Sequence, residues 1–375
     1  MKIVIFGLSI TSTWGNGHAT TYRSLVRALS VRKHEILFLE RDVEWYANQR
    51  DMAAPPFCKL HLYKTLGDLK RRFRAEIKSA DCIVVGSYVP DGVAVADWVT
   101  RVAQGPIAFY DIDTPVTLAK LARGDYEYLS PDLIPRFDLY LSFTGGPFLD
   151  RLESQLGAQM VRPLYCSADP EIYYPQRVKK LWDLGYIGTY SADRHSRFES
   201  LLLTPANAYS SGRFIVAGSQ YPSDIRWPTN LSRVLHLPCL DHREFYNQQR
   251  FTLNLTRGPM AKAGFSPSVR LFEAAACGTA IISDPWTGLE TFFEPGKEIL
   301  VAASTNEVLD IIQTEPERTI LKIGQAARER FLREHTPDHR AAELENYLAE
   351  LTSPSPALQE AQEFRTQKLS SKLSG

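Results

Sequence analysis

TRGPMAKAGFSPSVRLFEAAACGTAIISD, residues 256–284, is the stretch on which the fold turns. It follows the apolar run FTLNL (251–255) and ends in another, TAIIS (279–283), so its middle is expected to be a helix lying between two strands of one sheet. Ser266 suits the N-cap, and Pro267 suits the first helical position, where a missing N–H costs nothing. The N–H groups of Ser268 and Val269 would then be free to bind an anion, aided by the positive end of the helix dipole. Arg257 and Lys262 in the preceding loop, with Arg270 in the first turns, add the positive charge that suits a diphosphate. Glu273 lies seven residues past that cap, about 10 Å along the axis, where a carboxylate suits the hydroxyl pair of a ribose. Gly278 provides the helix stop. Taken alone, Arg270 and Glu273 at i,i+3 would be a solvated ion pair contributing about 0.2–0.5 kcal/mol. The order strand, basic loop, SPS, E-A-A-A-C-G, strand points instead to a ligand site.

Outward from this segment the chain alternates in type. KIVIF, EILFLE, DCIVVG, PIAFYDID and FDLYLSF read as strands in the first half, with helical patterns near 17–31, 42–50, 66–79, 91–103 and 114–122. Continuously apolar strands separated by helices of this length predict a doubly wound parallel sheet. RPLYCSADPEIYYPQRV (162–178), with three prolines and no helical period, reads as a crossover. The alternation then restarts with WDLGYIG, RFIVAG, RVLHL, FTLNLT, TAIISD and EILVA as strands, and helices near 193–203, 241–249, 267–276 and 305–313. The expected division is an N-terminal Rossmann-like domain (1–165), a C-terminal one (166–335), a helix (336–352) that packs back on the first domain, and a polar tail (353–375). Two such domains make a cleft between the C-terminal edges of their sheets, where ligands of open α/β sheets bind.

Composition agrees and excludes other classes. The chain has 375 residues, enough for two domains, and 43 basic against 43 acidic side chains leave a net charge of zero. That balance speaks against a nucleic-acid binder, which needs a basic surface. Hydrophobic residues at 44% and charged residues at 23% exclude disorder for most of the chain. No run approaches the roughly 18 apolar residues of a membrane span. The short apolar N-terminus turns polar without a small-residue cleavage site and reads as a strand, not a signal peptide. Five scattered cysteines, Cys58, Cys82, Cys166, Cys239 and Cys277, form no CxxC pair, so a reducing cytoplasm is expected and a zinc site is not.

The 256–284 segment resembles the nucleotide-sugar motif, E-A-x-A-C-G-x-P, of the group 1 glycosyltransferases of the GT-B fold. The likeness is greatest to their CgeB-like, spore-maturation type. It runs from about Asp183 to Val301 and includes YIGTYSADR, FIVAG and the GLETFF loop. It implies that Glu273 holds the ribose, that Arg194 in the GTYSADR turn contacts the diphosphate, and that the loop Pro238–Asp241 cradles the base. Read without the resemblance, Asp193–Arg194 is equally a surface turn. One departure stands out. Retaining members often carry a first Glu eight residues before the ribose Glu, and here that position is Phe265.

The N-terminal domain offers SITSTWGNGHATTYRSL between its first strand and first helix. Gly15, Gly17 and His18 resemble the glycine-rich acceptor-side loop of GT-B enzymes. His18 is a candidate general base, a contact for the donor sugar, or a cap on Thr20 and Thr21. GNGHAT also echoes a dinucleotide fingerprint, with Glu40 or Asp42 as the ribose acid, but the third glycine is missing and the glycines begin eight residues after the strand. In FYDIDTPVT (109–117), Asp111 and Asp113 close an apolar strand and are candidates to orient acceptor hydroxyls or take a proton, while Asp113 also suits the N-cap of the next helix. The D-x-D spacing invites a metal, yet it falls in the acceptor-side domain, so none is expected. FTGGP (143–147) is another strand-to-helix turn. The basic helix LKRRFRAEIKS (69–79) reads as a solvated face, with at most weak peripheral membrane contact.

The expectation is therefore a metal-independent GT-B glycosyltransferase without a resident cofactor. It would move a hexose-type sugar from a nucleotide diphosphate sugar to an acceptor whose class stays open: glycan, protein, lipid or small molecule. A sugar-nucleotide epimerase and a non-catalytic nucleotide-sugar-binding module are the alternatives.

Overall fold

The structure, a computed structural model, describes residues 1–14 and 17–352. The polar tail 353–375 lies outside the described residues. Seven strands build the first sheet: β1 (Lys2–Gly7), β2 (Glu35–Arg41), β3 (Lys59–Tyr63), β4 (Cys82–Gly86), β5 (Ile107–Asp111), β6 (Leu139–Ser142) and β7 (Val161–Pro163). Every pairing is parallel, in the order β3-β2-β1-β4-β5-β6-β7. Six more build the second: β8 (Trp182–Ile187), β9 (Phe214–Ala217), β10 (Leu231–Val234), β11 (Gln249–Asn254), β12 (Ala280–Ser283) and β13 (Leu300–Val301). They too are parallel, in the order β10-β9-β8-β11-β12-β13. Both sheets reverse direction beside their first strand, the switch point that opens a crevice at the strands' C-terminal ends. The two Rossmann-like α/β domains form the GT-B architecture.

The apolar runs explain the layers. Along β1, Val4 and Phe6 join the core on one face with Leu37, Leu39, Ile83 and Phe109. Ile3 and Ile5 join the other with Ile36, Phe38, Val84 and Tyr110. A strand buried on both sides needs no polar alternation, which is why KIVIF and CIVVG read as continuous hydrophobic runs. In the second domain, Leu184, Val216, Phe251 and Ile282 face one layer and Ile215, Ala217 and Ile281 the other.

Several elements differ from their sequence reading. The β3 and β7 strands were not expected. KLHLY alternates in exposure as an edge strand does, and Val161–Pro163 is the opening of the proline-rich crossover. The 66–79 helix is two helices, Leu66–Arg72 and Arg74–Ser79, because Phe73 breaks the turn at φ −116° and drives its ring into the core. The helix near 42–50 is a single turn, Glu44–Ala47. The β10 strand ends at Val234, so Leu235–Leu237 of RVLHL is loop.

After β7 the chain crosses to the second domain, and it crosses back near His335. The helix Pro337–Thr352 packs on the first domain, where Ala341, Leu344 and Leu348 enter the same core as Ile3, Ile5, Leu25 and Leu29. Arg32 ties it down through Glu345 and Asp338, and the Tyr347 hydroxyl donates to the Pro163 carbonyl at 3.0 Å. Among the described residues no helix is long and apolar enough to cross a membrane, and all five cysteines are unpaired. On the basic helices, Arg71 and Arg72 both pair with Asp68.

Candidate functional site

The ends of both sheets border a cavity of about 540 Å³ that adjoins a smaller lobe of about 250 Å³. Gly17, His18, Asp113, Arg194 and Val269 line both. The larger lobe is walled by the ends of β8 (Ile187–Thr189) and β9 (Ala217–Ser219), by Leu235–Leu237 after β10, and by Val269, Arg270 and Glu273. Its size falls within the range of small-molecule sites. Glycines make the room: a Cβ at Gly218, where φ is 147°, would stand 2.0 Å from the Gly188 carbonyl oxygen, and one at Gly188 would stand 2.9 Å from an Arg270 nitrogen.

Glu273 lies on the helix Val269–Ala276 and is 3% exposed. Tyr173 donates to its Oε1 at 3.0 Å, Tyr246 donates to Oε2 at 2.7 Å, and His242 Nδ1 stands 3.8 Å from Oε1. Burial works against the charge, yet His242, Tyr246 and Tyr173 outweigh it and hold the carboxyl below its usual range. Each oxygen accepts one strong hydrogen bond and keeps acceptor capacity toward the cavity.

The helix begins later than expected. Ser268, at φ −86° and ψ 152°, is the N-cap position, and Pro267 lies before the first turn, so Ser266 is not the cap. The Ser266 hydroxyl is instead 2.9 Å from that of Thr144 in the other domain, although the residue still lines the small lobe. The Ser268 hydroxyl donates to Asn254 Oδ1 at 2.7 Å and accepts from no backbone N–H of its own helix. Leu271 N–H turns back to the Ser268 carbonyl at 3.1 Å, whereas the Val269 N–H at the helix start has neither a side-chain cap nor an intrahelical partner.

Arg270 is buried, and its partners are neutral. Nε donates to the Ile187 carbonyl at 2.6 Å, Nη1 to Asn254 Oδ1 at 2.9 Å, and the guanidinium lies 4.7 Å over the Tyr186 ring. Arg194, on the short turn after β8, donates from Nη2 to the Thr189 carbonyl at 2.6 Å, and its Nε is enclosed without a partner. Neither guanidinium has a carboxylate within ion-pair distance among the described residues, although Arg194 acts at longer range on Asp113 and Arg270 on Asp284. Arg257 differs, standing in the small lobe 3.3 Å from Asp193 and 3.6 Å from Asp113. Lys262, expected beside the diphosphate, is exposed on the helix Gly258–Ala263 and lines neither lobe.

In the first domain, His18 opens the helix His18–Val31, behind Gly17. Its Nδ1 is enclosed without a partner, and burial pushes the imidazole down to about 3, so the ring is neutral at physiological pH. Gly15 lies outside the described residues. Asp113 precedes the helix Thr114–Ala122 but makes no side-chain cap there; its Oδ2 accepts from the Tyr88 hydroxyl at 3.0 Å and faces Arg257. Burial raises its pKa, against Arg257 and the Tyr88 bond.

Asp111 is not on the cleft. It is fully buried, its oxygens accept from Tyr140 at 2.5 Å, Thr117 at 2.8 Å and the Asp113 N–H at 3.2 Å, and it lines neither lobe. Burial outweighs these bonds and raises its carboxyl to about 6. The expectation that it touches an acceptor is corrected: the strand places it one layer beneath Asp113. The dinucleotide alternative also falls, because Glu40 is consumed by the loop after β1, where it accepts from the Ser9 and Thr11 hydroxyls and the Ile10 and Thr11 N–H groups. Asp42 is taken by Arg50 at 2.6 Å.

Phe265 lines neither lobe. With φ at 47°, its ring lies between Gly146 of the first domain and Gly288 of the second, where added Cβ atoms would stand 2.3 and 2.5 Å from ring carbons. The Phe265 carbonyl accepts from the Gly145 N–H at 2.8 Å, which makes FTGGP a domain contact. Among the described residues no group of three His, Cys, Asp or Glu side chains is arranged to hold a metal ion.

Sequence reasoning missed Tyr88, Tyr173, His242 and Tyr246. Only the last two leave a signal: four apart in DHREFYN, they share one helix face. Leu235–Leu237 line the larger lobe and Pro238–Asp241, the expected base cradle, do not, because β10 ends early and Cys239–Asp241 is a separate turn.

Residues 194–346 match a family model described as glycosyl transferase-like. No curated protein matches the chain by sequence. Among solved structures, the chain is similar to HepE from Anabaena in complex with UDP and glucose, with a TM-score of 0.69 and 14% identity over 93% of this chain and 100% of that one. It is similar to the sucrose-phosphate synthase of Thermosynechococcus elongatus, with a TM-score of 0.67 and 12% identity over 94% and 99%. An α-glucosyltransferase in complex with UDP-glucose and DNA gives a TM-score of 0.66 and 12% identity over 93% and 99%. These likenesses establish the fold.

Proposed function

We propose that the protein is a nucleotide-sugar-dependent glycosyltransferase that transfers a hexose to an acceptor without a metal ion. The observation that carries this reading is Glu273: a buried, ionised carboxylate with acceptor capacity toward a cavity that also holds two guanidinium groups with neutral partners and an uncapped helix start. The ribose hydroxyls would donate to Glu273, and the base would lie against Leu235–Leu237. The diphosphate would meet Arg194, Arg270 and the Val269 N–H. The similar HepE structures hold UDP with glucose and UDP-glucose, which makes uracil the first base to test. The CgeB-like subtype rests on the sequence motif.

The sugar would then lie at the junction of the lobes. His18, neutral there, serves as a hydrogen-bonding partner to a sugar hydroxyl better than as a proton shuttle. As the acceptor oxygen bonds to the anomeric carbon, the bond to the diphosphate breaks and its electron pair leaves on the phosphate oxygen. Arg194 and Arg270 stabilise that charge in a site already organised for it. Asp113, the one carboxylate among the described residues that lines the smaller lobe, takes the acceptor's proton. The net charge of zero leaves nucleic acid outside the proposed acceptors.

The test is nucleotide release from a panel of UDP-, GDP- and ADP-sugars, with and without glycan, lipid and small-molecule acceptors, alongside binding of the same donors to Glu273→Ala. Acceptor-stimulated release and a roughly hundredfold loss of donor affinity, about 2.7 kcal/mol, are expected. An altered sugar without transfer would make the protein an epimerase, and binding without turnover a binding module. Unchanged affinity of the variant for every donor would overturn the site itself.

A further inference from the structure

Tyr88 follows β4 with its backbone in the left-handed region, φ 62°, a conformation that bulky side chains rarely adopt. It lines the larger lobe, and its hydroxyl donates to Asp113 Oδ2 at 3.0 Å. Its ring meets the His18 imidazole edge-on, with centroids 5.2 Å apart and planes at 66°. Behind it lies Tyr128, ring to ring at 4.6 Å, and Lys120 Nζ stands 5.7 Å from the ring centre. The support continues inward. Thr117 spends its single hydroxyl proton on Asp111, so the Tyr128 hydroxyl, 2.8 Å from Thr117 Oγ1, is the donor in that pair. A phenol held from behind by Tyr128 thus touches both first-domain groups that face the sugar.

We propose that Tyr88 is the positioning residue of the transfer step, fixing Asp113 as the proton acceptor and the His18 ring against the donor sugar. This rests on the glycosyl-transfer reading above. Tyr88 and Arg257 both contact Oδ2 of Asp113, which leaves Oδ1 for the proton of the attacking hydroxyl. No co-reactant is needed beyond donor and acceptor.

The groups around Asp113 set the sign of the test. From the second domain, Arg257 and Arg194 favour its charge and Asp193 opposes it; from the first, the Tyr88 bond favours the charge, while burial and Asp111 oppose it. Neutral His18 and Cys166 line the same lobe, and Lys120 stands behind Tyr88. Tyr88→Phe keeps the ring against His18 and Tyr128 and removes one donor from the carboxylate, so Asp113 should titrate at higher pH.

Two measurements decide it, both on the full chain. With whichever nucleotide sugar the wild type turns over, Tyr88→Phe is expected to lower kcat roughly tenfold or more, as loss of a hydrogen bond to a charged group does. Donor KM and UDP affinity should stay within about twofold, and the acidic limb of the kcat profile should move to higher pH. Carbon-13 NMR of the Asp113 carboxyl, assigned with Asp113→Asn, should show a higher titration midpoint in the variant. A melting temperature lowered with kcat and acidic limb unchanged would mark Tyr88 as structural and overturn the proposal, as would an unmoved Asp113 midpoint. If the wild type turns over no nucleotide sugar, the transfer reading fails on its own, and the carboxyl titration still decides whether Tyr88 governs Asp113.

Discussion

Glu40 and Glu273 are both buried glutamates held by hydrogen bonds, one in each domain, and they do opposite work. Glu40, at 0% exposure, receives two hydroxyls and two backbone N–H groups from the loop that leaves β1. Its acceptor capacity is spent within the chain, and what it builds is the shape of residues 9–11. Glu273 receives two hydroxyls and stands near one imidazole, all from side chains that also keep it ionised, and its remaining lone pairs border a cavity. Burial and hydrogen bonding are common to both. What separates them is the acceptor capacity that Glu273 keeps beside open space, which the proposed ribose contact requires.

The largest expected effect comes from spoiling the structural member. Glu40→Ala leaves the Ile10 and Thr11 N–H groups and two hydroxyls without their acceptor, and should lower stability in urea unfolding by roughly 3–4 kcal/mol. Glu273→Ala should do the reverse: a roughly hundredfold loss of donor affinity with less than about 1 kcal/mol lost in unfolding, because water from the cavity can reach the Tyr173 and Tyr246 hydroxyls. Equal stability losses in the two variants would dissolve the contrast.

Asp111 sharpens it further, as a carboxylate that burial penalises. Its folded pKa, about 6, lies above that of an unfolded Asp, so its ionised form costs stability above pH 6. As pH falls through 6 toward 4, the folded state takes up a proton that the unfolded state does not yet bind, and stability rises, on the order of 2–3 kcal/mol from this group. Asp111→Asn should remove that dependence from unfolding measured between pH 4 and 7. The smallest effect belongs to Lys262→Ala, for which donor affinity and stability should change by less than about 0.5 kcal/mol.

Much of this was legible in the sequence where one physical cause dominates. Doubly covered strands such as Ile3–Phe6 announce themselves by apolar continuity, and the place of Glu273 on a helix at the cavity wall by the strand, basic loop and small-residue helix end around it. What escaped was set by contacts between distant segments. Tyr173 reaches Glu273 from the crossover, a hundred positions away. Ser266 prefers a hydroxyl in the other domain to its own helix, which moves the helix start by two residues. Asp111 and Asp113 alternate along one strand end, and nothing local says which looks outward. The Phe265 ring fills the space between two glycines of different domains, a match no single segment carries.

The return of the helix Pro337–Thr352 to the first domain bears on how the protein is made. Ala341, Leu344 and Leu348 complete the hydrophobic layer over Ile3 and Ile5. While the ribosome is still extending the second domain, Tyr22, Leu25, Val26 and Leu29 of the first helix already cover part of that layer, and only the part met by the last helix stays open. The N-terminal half therefore completes its core only after the second domain has been made. A nascent chain stalled near residue 335 should present an apolar face that a chaperone would have to shield.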